Sequence, residues 1–187
     1  MAAIRESVMD KVPAFTNYVQ YKGVWDMEDL YQFINTYFSK RKYKFYETKY
    51  IVKHPSPFGP ETYYVWKAEK KHNEYTKFAL DIFVHTYDTQ DVSVMMDNGD
   101  LNNFTRGRIW IQFRGHVQQD HEGRFDENAF FANLRAFYHN YVIYKKIQGV
   151  FWDDMYYNDF LKLHSLVKER LKMESLSFEH RNFNKVR

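Results

Sequence analysis

The sequence predicts an α+β fold, an antiparallel sheet of about five strands with helices packed on one face, in the order strand, helix, four strands, helix, helix. Three observations predict it. The first is a long hairpin: a first arm from Thr76 to Met96, a turn at Asp97-Asn98-Gly99-Asp100 and a return arm from Arg106 to Gln119. The second is a pair of apolar stripes at helical spacing, one on each side of the strand-rich region. The third is the absence of any repeat, linker or low-complexity tract, which makes 14–173 one domain between an N-terminal tail (1–13) and a polar C-terminal tail (174–187).

In chain order, Phe15, Asn17, Val19 and Tyr21 alternate with Thr16, Tyr18 and Gln20, a first strand over 14–22. Asp26 is placed to cap a helix carrying Glu28 and Asp29 in its first turn, where acids suit the dipole. Leu30, Phe33, Ile34, Tyr37 and Phe38 form its stripe, and Lys40-Arg41-Lys42 close it. Period two returns in Tyr43–Lys53. His54 to Pro60, with three prolines and a glycine, reads as a loop, and Thr62–Lys71 as the next strand. In the hairpin, Phe78, Leu80, Ile82 and Val84 share one face, while Ile109, Ile111, Phe113 and Val117 alternate with Arg108, Trp110, Gln112, Arg114 and His116. Gly107 and Gly115 mark bends, or places where another backbone or a ring crosses. A long helix is predicted over 127–147, with Phe130, Phe131, Leu134, Phe137, Tyr138, Tyr141 and Val142 as a core stripe and Gly149 as its stop. A third helix starts near Asp153 or Asp154, with Tyr156, Phe160, Leu163, Val167 and Leu171 inward.

Composition narrows the class. At 187 residues the chain can bury a real core. Hydrophobic residues make up 44% of it, yet mean hydropathy is −0.68, because 17 Phe, 16 Tyr and 4 Trp supply much of the apolar area. Rings in such number serve a surface as well as a core. A net charge of +3 is too mild to identify a nucleic-acid binder by itself. The N-terminus shows no signal-peptide pattern, no apolar run reaches the ~20 residues of a membrane span, and there are no cysteines. Together these point to a cytoplasmic protein without disulfides, thiolate nucleophiles or thiolate-bound zinc. Asn103-Phe104-Thr105 matches a glycosylation acceptor by chance in that setting.

The residues that could carry chemistry lead elsewhere. Asp81, His85, Asp88 and Asp91 on the first arm and His116, Asp120 and His121 on the second could converge, but their spacing matches no ligand motif and they read as solvated face residues. No serine sits in a nucleophile elbow and no glycine pair forms a phosphate loop. The expectation is therefore a non-enzymatic protein with no catalytic or metal residues, no cofactor and no small-molecule substrate.

Charge is unevenly placed. Residues 40–53 carry six basic residues against Glu47 alone, whereas 81–100 carry five acids and no Lys or Arg. The candidate interaction surface comprises Lys42, Lys44, Lys49, Arg106, Arg108, Trp110 and Arg114, with Asp88 and Asp91 as its acidic counterpart. The first expectation is an interaction or assembly protein, self-associating or part of a larger complex. The second is RNA or ribonucleoprotein binding, with rings stacking on bases and cations meeting phosphates. The third is an apolar-ligand carrier, a sheet wrapped on a C-terminal helix in an arrangement that resembles the helix-grip carriers in outline. Trp25-Asp26 before Leu30-Tyr31, Lys42-Tyr43 before Glu47, and Thr105-Arg106-Gly107-Arg108-Ile109-Trp110-Ile111 resemble uncharacterised archaeal proteins over roughly residues 20–145; the resemblance implies no activity.

Overall fold

Alternating side chains over the two hairpin arms require two long paired strands, and these form the centre of the sheet. The structure is a computed structural model that describes residues 14–56, 59–95, 101–119, 134, 137, 141–142 and 144–173. The elements are β1 (Ala14–Trp25), α1 (Met27–Lys40), β2 (Lys44–Ser56), β3 (Gly59–Lys71), β4 (Thr76–Met95), β5 (Leu101–Gln119), α2 (Tyr144–Val150), a π-helical segment (Phe151–Leu161) and α3 (Lys162–Arg170). The five strands make one antiparallel sheet in the order β1-β5-β4-β3-β2. The α+β reading holds. The predicted turn at 97–100 and the two tails lie outside the described residues.

One face of the sheet is the core. Val19, Trp66, Phe78, Leu80, Ile82, Val84, Ile109, Ile111 and Phe113 are buried on it, with Leu30, Ile34, Tyr37 and Phe38 of α1 and Phe151, Met155, Phe160, Leu163 and Val167 of the C-terminal helix packed above. Asp26 caps α1 by accepting from the Asp29 N–H at 3.0 Å. The same helix ends in a Schellman turn. The Tyr43 and Lys42 amides donate to the Phe38 and Ser39 carbonyls at 3.0 and 3.1 Å, and the Phe38 and Tyr43 rings meet at 5.3 Å.

Four sequence expectations need correction. His54 to Pro60 is not simply a loop: β2 runs to Ser56 and β3 starts at Gly59, with Ser56 opposite Gly59. β2 is an edge strand whose pairing is interrupted between Lys53 and Ser56, so Pro55 falls where no ladder bond is lost. Gly149 does not stop a helix, and none begins at Asp153 or Asp154, because α2, the π segment and α3 run on without a break. The return arm starts at Leu101 rather than Arg106, with Met95 opposite Leu101, so the hairpin is longer than its alternation suggests. Finally, Leu134, Phe137, Tyr141 and Val142 are 44, 58, 79 and 56% exposed instead of core, since no described element covers them. Phe130, Phe131 and Tyr138 of that stripe lie outside the described residues.

One buried carboxylate ties helix to sheet. Asp159, 8% exposed, accepts from the Tyr43 hydroxyl at 2.8 Å and pairs with Arg41 Nε at 3.2 Å and Lys70 Nζ at 3.6 Å. Its backbone carbonyl accepts from the Tyr37 hydroxyl at 2.7 Å. Arg41 also lies over the Tyr37 ring and Lys70 over the Tyr43 ring, at 3.8 and 5.1 Å. Burial pushes the Tyr37 phenol up to about 12 and raises that of Tyr43 further.

Candidate interaction face

The opposite face of the sheet carries no described helix. Because side chains alternate, the register sorts its residues into rows running across the strands. Two central rows are apolar and aromatic: Gln20–Trp110–His85–Tyr63–Ile51, and Tyr18–Gln112–Phe83–Val65–Lys49. The rings touch one another. Tyr18 stacks on Trp110 at 5.5 Å, Phe83 meets Trp110 edge-on at 5.7 Å, and His85 lies between Tyr63 at 3.9 Å and Tyr87 at 3.6 Å. Tyr18 remains 52% exposed.

Charged rows flank the rings on both sides. Lys22, Arg108 and Tyr87 are in register on one side, with Lys53 opposite Glu61. On the other side run Thr16–Arg114–Asp81–Lys67–Tyr46 and Ala14–His116–Ala79–Glu69–Lys44, with Lys77 next to Glu69 at 2.6 Å. Counting Lys49, Arg106 and Lys71, which stands opposite Lys77, this face holds ten basic groups against four acids, Glu61, Asp81, Asp88 and Glu69. Its excess is larger than the +3 of the whole chain. An open hollow of about 630 Å³ lies among Gln20, Lys22, Tyr87, Arg108 and Trp110.

A β-bulge shapes this hollow. Between Tyr87 and Gln90 the register shifts, and Asp88 takes a positive φ of 50°, a conformation that Asp tolerates better than most residues. Asp88 thereby ion-pairs with Arg108, which also lies 5.4 Å from the centre of the Tyr87 ring. Gly107 is required here, since a Cβ would stand 2.7 Å from the Tyr87 carbonyl oxygen. Thr89 Oγ1 donates to the Pro60 carbonyl at 2.8 Å and fixes the bulge to β3.

The predicted surface residues divide. Arg106, Arg108, Trp110, Arg114 and Asp88 come together on this face. Lys44 and Lys49 share it but sit on edge strand β2, three strands from β5, about 14 Å away at ordinary strand spacing. Lys42 is in the turn after α1, off the sheet, at φ 64°. Asp91, opposite Thr105, falls on the other side of the sheet from Arg106 and Gln90. Lys53, the last of the basic residues in 40–53, is on this face as well, whereas the sequence does not single out Lys22, Tyr18, Tyr63, Phe83 and Tyr87. Alternation in β1 marks Tyr18 as outward, but only the pairing of β1 with β5 brings it to Trp110.

Burial favours the neutral form of both outer-face histidines. Burial lowers the His85 imidazole below its usual value, opposed by Glu61 at 3.3 Å. Burial also lowers that of His116, opposed by Asp81 at 3.9 Å. Among the described residues no three His, Asp or Glu side chains converge as metal ligands, and no described helix is long and apolar enough to cross a membrane. No family model and no curated protein matches the chain.

Proposed function

We propose that the chain is a non-enzymatic binding protein whose outer sheet face takes single-stranded nucleic acid, RNA in particular. The observation that carries this reading is the coincidence, on one open face, of two aromatic rows with ten basic groups against four acids. Bases stack on exposed rings whatever their identity, and cations beside the rings meet the phosphates. The same charge excess weighs against pairing this face with its own copy, which would bring like charges together.

Fluorescence anisotropy with a short labelled mixed-sequence RNA tests it. Affinity falls steeply with salt, with a log–log slope of about −0.7 per phosphate contacted. Trp110→Ala and Arg108→Ala each weaken binding about tenfold. Arg114→Ala reduces the salt slope. Polyphosphate, which has charge but no bases, competes poorly. Absence of binding at low salt rejects the reading.

A second reading, association with a protein or a second copy, is supported by different surfaces. Leu134, Phe137, Tyr141 and Val142 are exposed, as are Tyr50 and Val52 on edge strand β2, where an unpaired backbone can accept another strand. Light scattering after size exclusion separates the two readings. An oligomer that survives Trp110→Ala uses these surfaces, whereas a strict monomer at high protein concentration and low salt removes self-association.

A further inference from the structure

Beside the hollow walled by Tyr87 and Trp110 lies a second one of about 700 Å³, and the two share Lys22 and Arg108. No ring lines the second. Lys22, Arg106, Arg108 and Gln90 bring donors to it, and Asp88 is its one acid. Its cations differ from those on the opposite flank of the face. There Asp81 stands in register between Arg114 and Lys67, and Glu69 holds Lys77 at 2.6 Å. Here Arg108 is met by Asp88, while Lys22 and Arg106 have no acidic partner among the described residues. Both are exposed. Pairing of Lys22 with Arg108 and of Val24 with Arg106 sets Lys22 diagonal to Arg106 on the neighbouring strand, a separation that two long side chains can close on one anion.

We infer, resting on the nucleic-acid reading of this face, that the joined hollows seat the terminal nucleotide of a bound RNA. Its base stacks in the first hollow against Tyr87 and Trp110, and its phosphate monoester sits in the second. Charge selects the end of the RNA over its interior. Three cations against one acid leave two positive charges around the second hollow. A phosphate monoester carries about −1.5 to −2 near neutral pH, whereas a diester inside the chain carries one negative charge and has two fewer free oxygens to accept from Lys22 and Arg106 together with Gln90. Hydrogen bonds from cations to phosphate are the stronger, charge-assisted kind. The ring-walled hollow adjoins the basic one, so a base and its own phosphate fill both at once.

Competition against a labelled RNA at low salt tests the inference. The competitors are one mixed-sequence RNA carrying a 5′-phosphate, a 3′-phosphate, or hydroxyls at both ends. A phosphorylated form is expected to compete at about tenfold lower concentration than the hydroxyl form, and the form that does so identifies the seated end. A hydroxyl-ended RNA two nucleotides longer has the same added charge in its diesters and gains less than about threefold. Lys22→Gln combined with Arg106→Gln, both at exposed positions, abolishes the preference and changes binding of the hydroxyl form far less. Arg114→Ala, on the other flank, keeps it. The inference is overturned, and the proposed function stands, if RNA binds but every form competes equally, if the longer RNA gains as much as the phosphorylated one, or if the preference survives the double variant. If no form binds, the nucleic-acid reading falls and this inference falls with it.

Discussion

Asp159 shows how one residue can join parts of the chain that sequence alone does not connect. Its carboxylate sits 116 residues from Tyr43, and its carbonyl receives Tyr37 from 122 residues away. In the sequence it is one of several acids in an aromatic stretch, and nothing local marks it as buried. Removing it leaves the Tyr43 hydroxyl without its acceptor and two cations, each about 29% exposed, without their counter-charge. Asp159→Ala is therefore expected to lower unfolding free energy by about 3 kcal/mol. Asp159→Asn, which keeps an acceptor but no charge, loses about half as much. A urea midpoint unchanged in the Ala variant would remove Asp159 from this role. Glycines were more legible. Gly107 and Gly115 were expected where another backbone or a ring crosses, and both occur. A Cβ on Gly107 would meet the Tyr87 carbonyl, and one on Gly115 would stand 2.3 Å from the Phe15 ring. Glycine inside an alternating strand has few other physical reasons to be there.

The elements were readable where their period is constant. Between their bulges the strands keep period two, so faces, core residues and outward arginines followed from alternation, whereas Asp91, beyond the bulge in β4, did not. The C-terminal helix does not keep one period. Its buried residues Phe151, Met155 and Phe160 are four and five apart across the π segment, and Leu163, Val167 and Leu171 then resume α spacing. A π turn takes in one residue more than an α turn, so one helix reads as two, and Gly149 was assigned to the apparent gap. The sequence also does not state which strands are neighbours. Only long-range pairing sets β1 beside β5 and joins Tyr18 to Trp110. The continuous helix makes a direct prediction. A Cβ on Gly149 would meet no atom within 4 Å, and alanine costs less backbone entropy in a helix. Gly149→Ala should stabilise the protein by about 1 kcal/mol, read as a higher urea midpoint at constant slope. A helix that truly stopped at Gly149 in a left-handed turn would instead be destabilised.

Across the whole molecule, the sheet separates two environments, an apolar helix side and a basic, ring-bearing side, and the histidines of the second govern how stability responds to acid. His85 is enclosed by Tyr63 and Tyr87, with Glu61 and Lys53 nearby, while His116 faces Asp81, Arg114, Lys67 and Glu69. For both, burial outweighs the carboxylates and the folded pKa lies below the usual value. The unfolded chain therefore binds more protons than the folded one as pH falls below about 6.5. Stability is full above that value and declines through the window down to the folded pKa values. A second decline follows at lower pH. Hydrogen bonding to Lys77 holds Glu69 below its ordinary range and hydrogen bonding to Arg170 does the same for Asp29, so the protein loses these contributions as both carboxylates protonate. Urea midpoints measured from about pH 7.5 to pH 3 should show both steps. His85→Gln with His116→Gln should flatten the upper step and leave the lower one. If the double variant loses stability between pH 7 and 5 as steeply as the native chain, groups other than these two histidines govern the upper step.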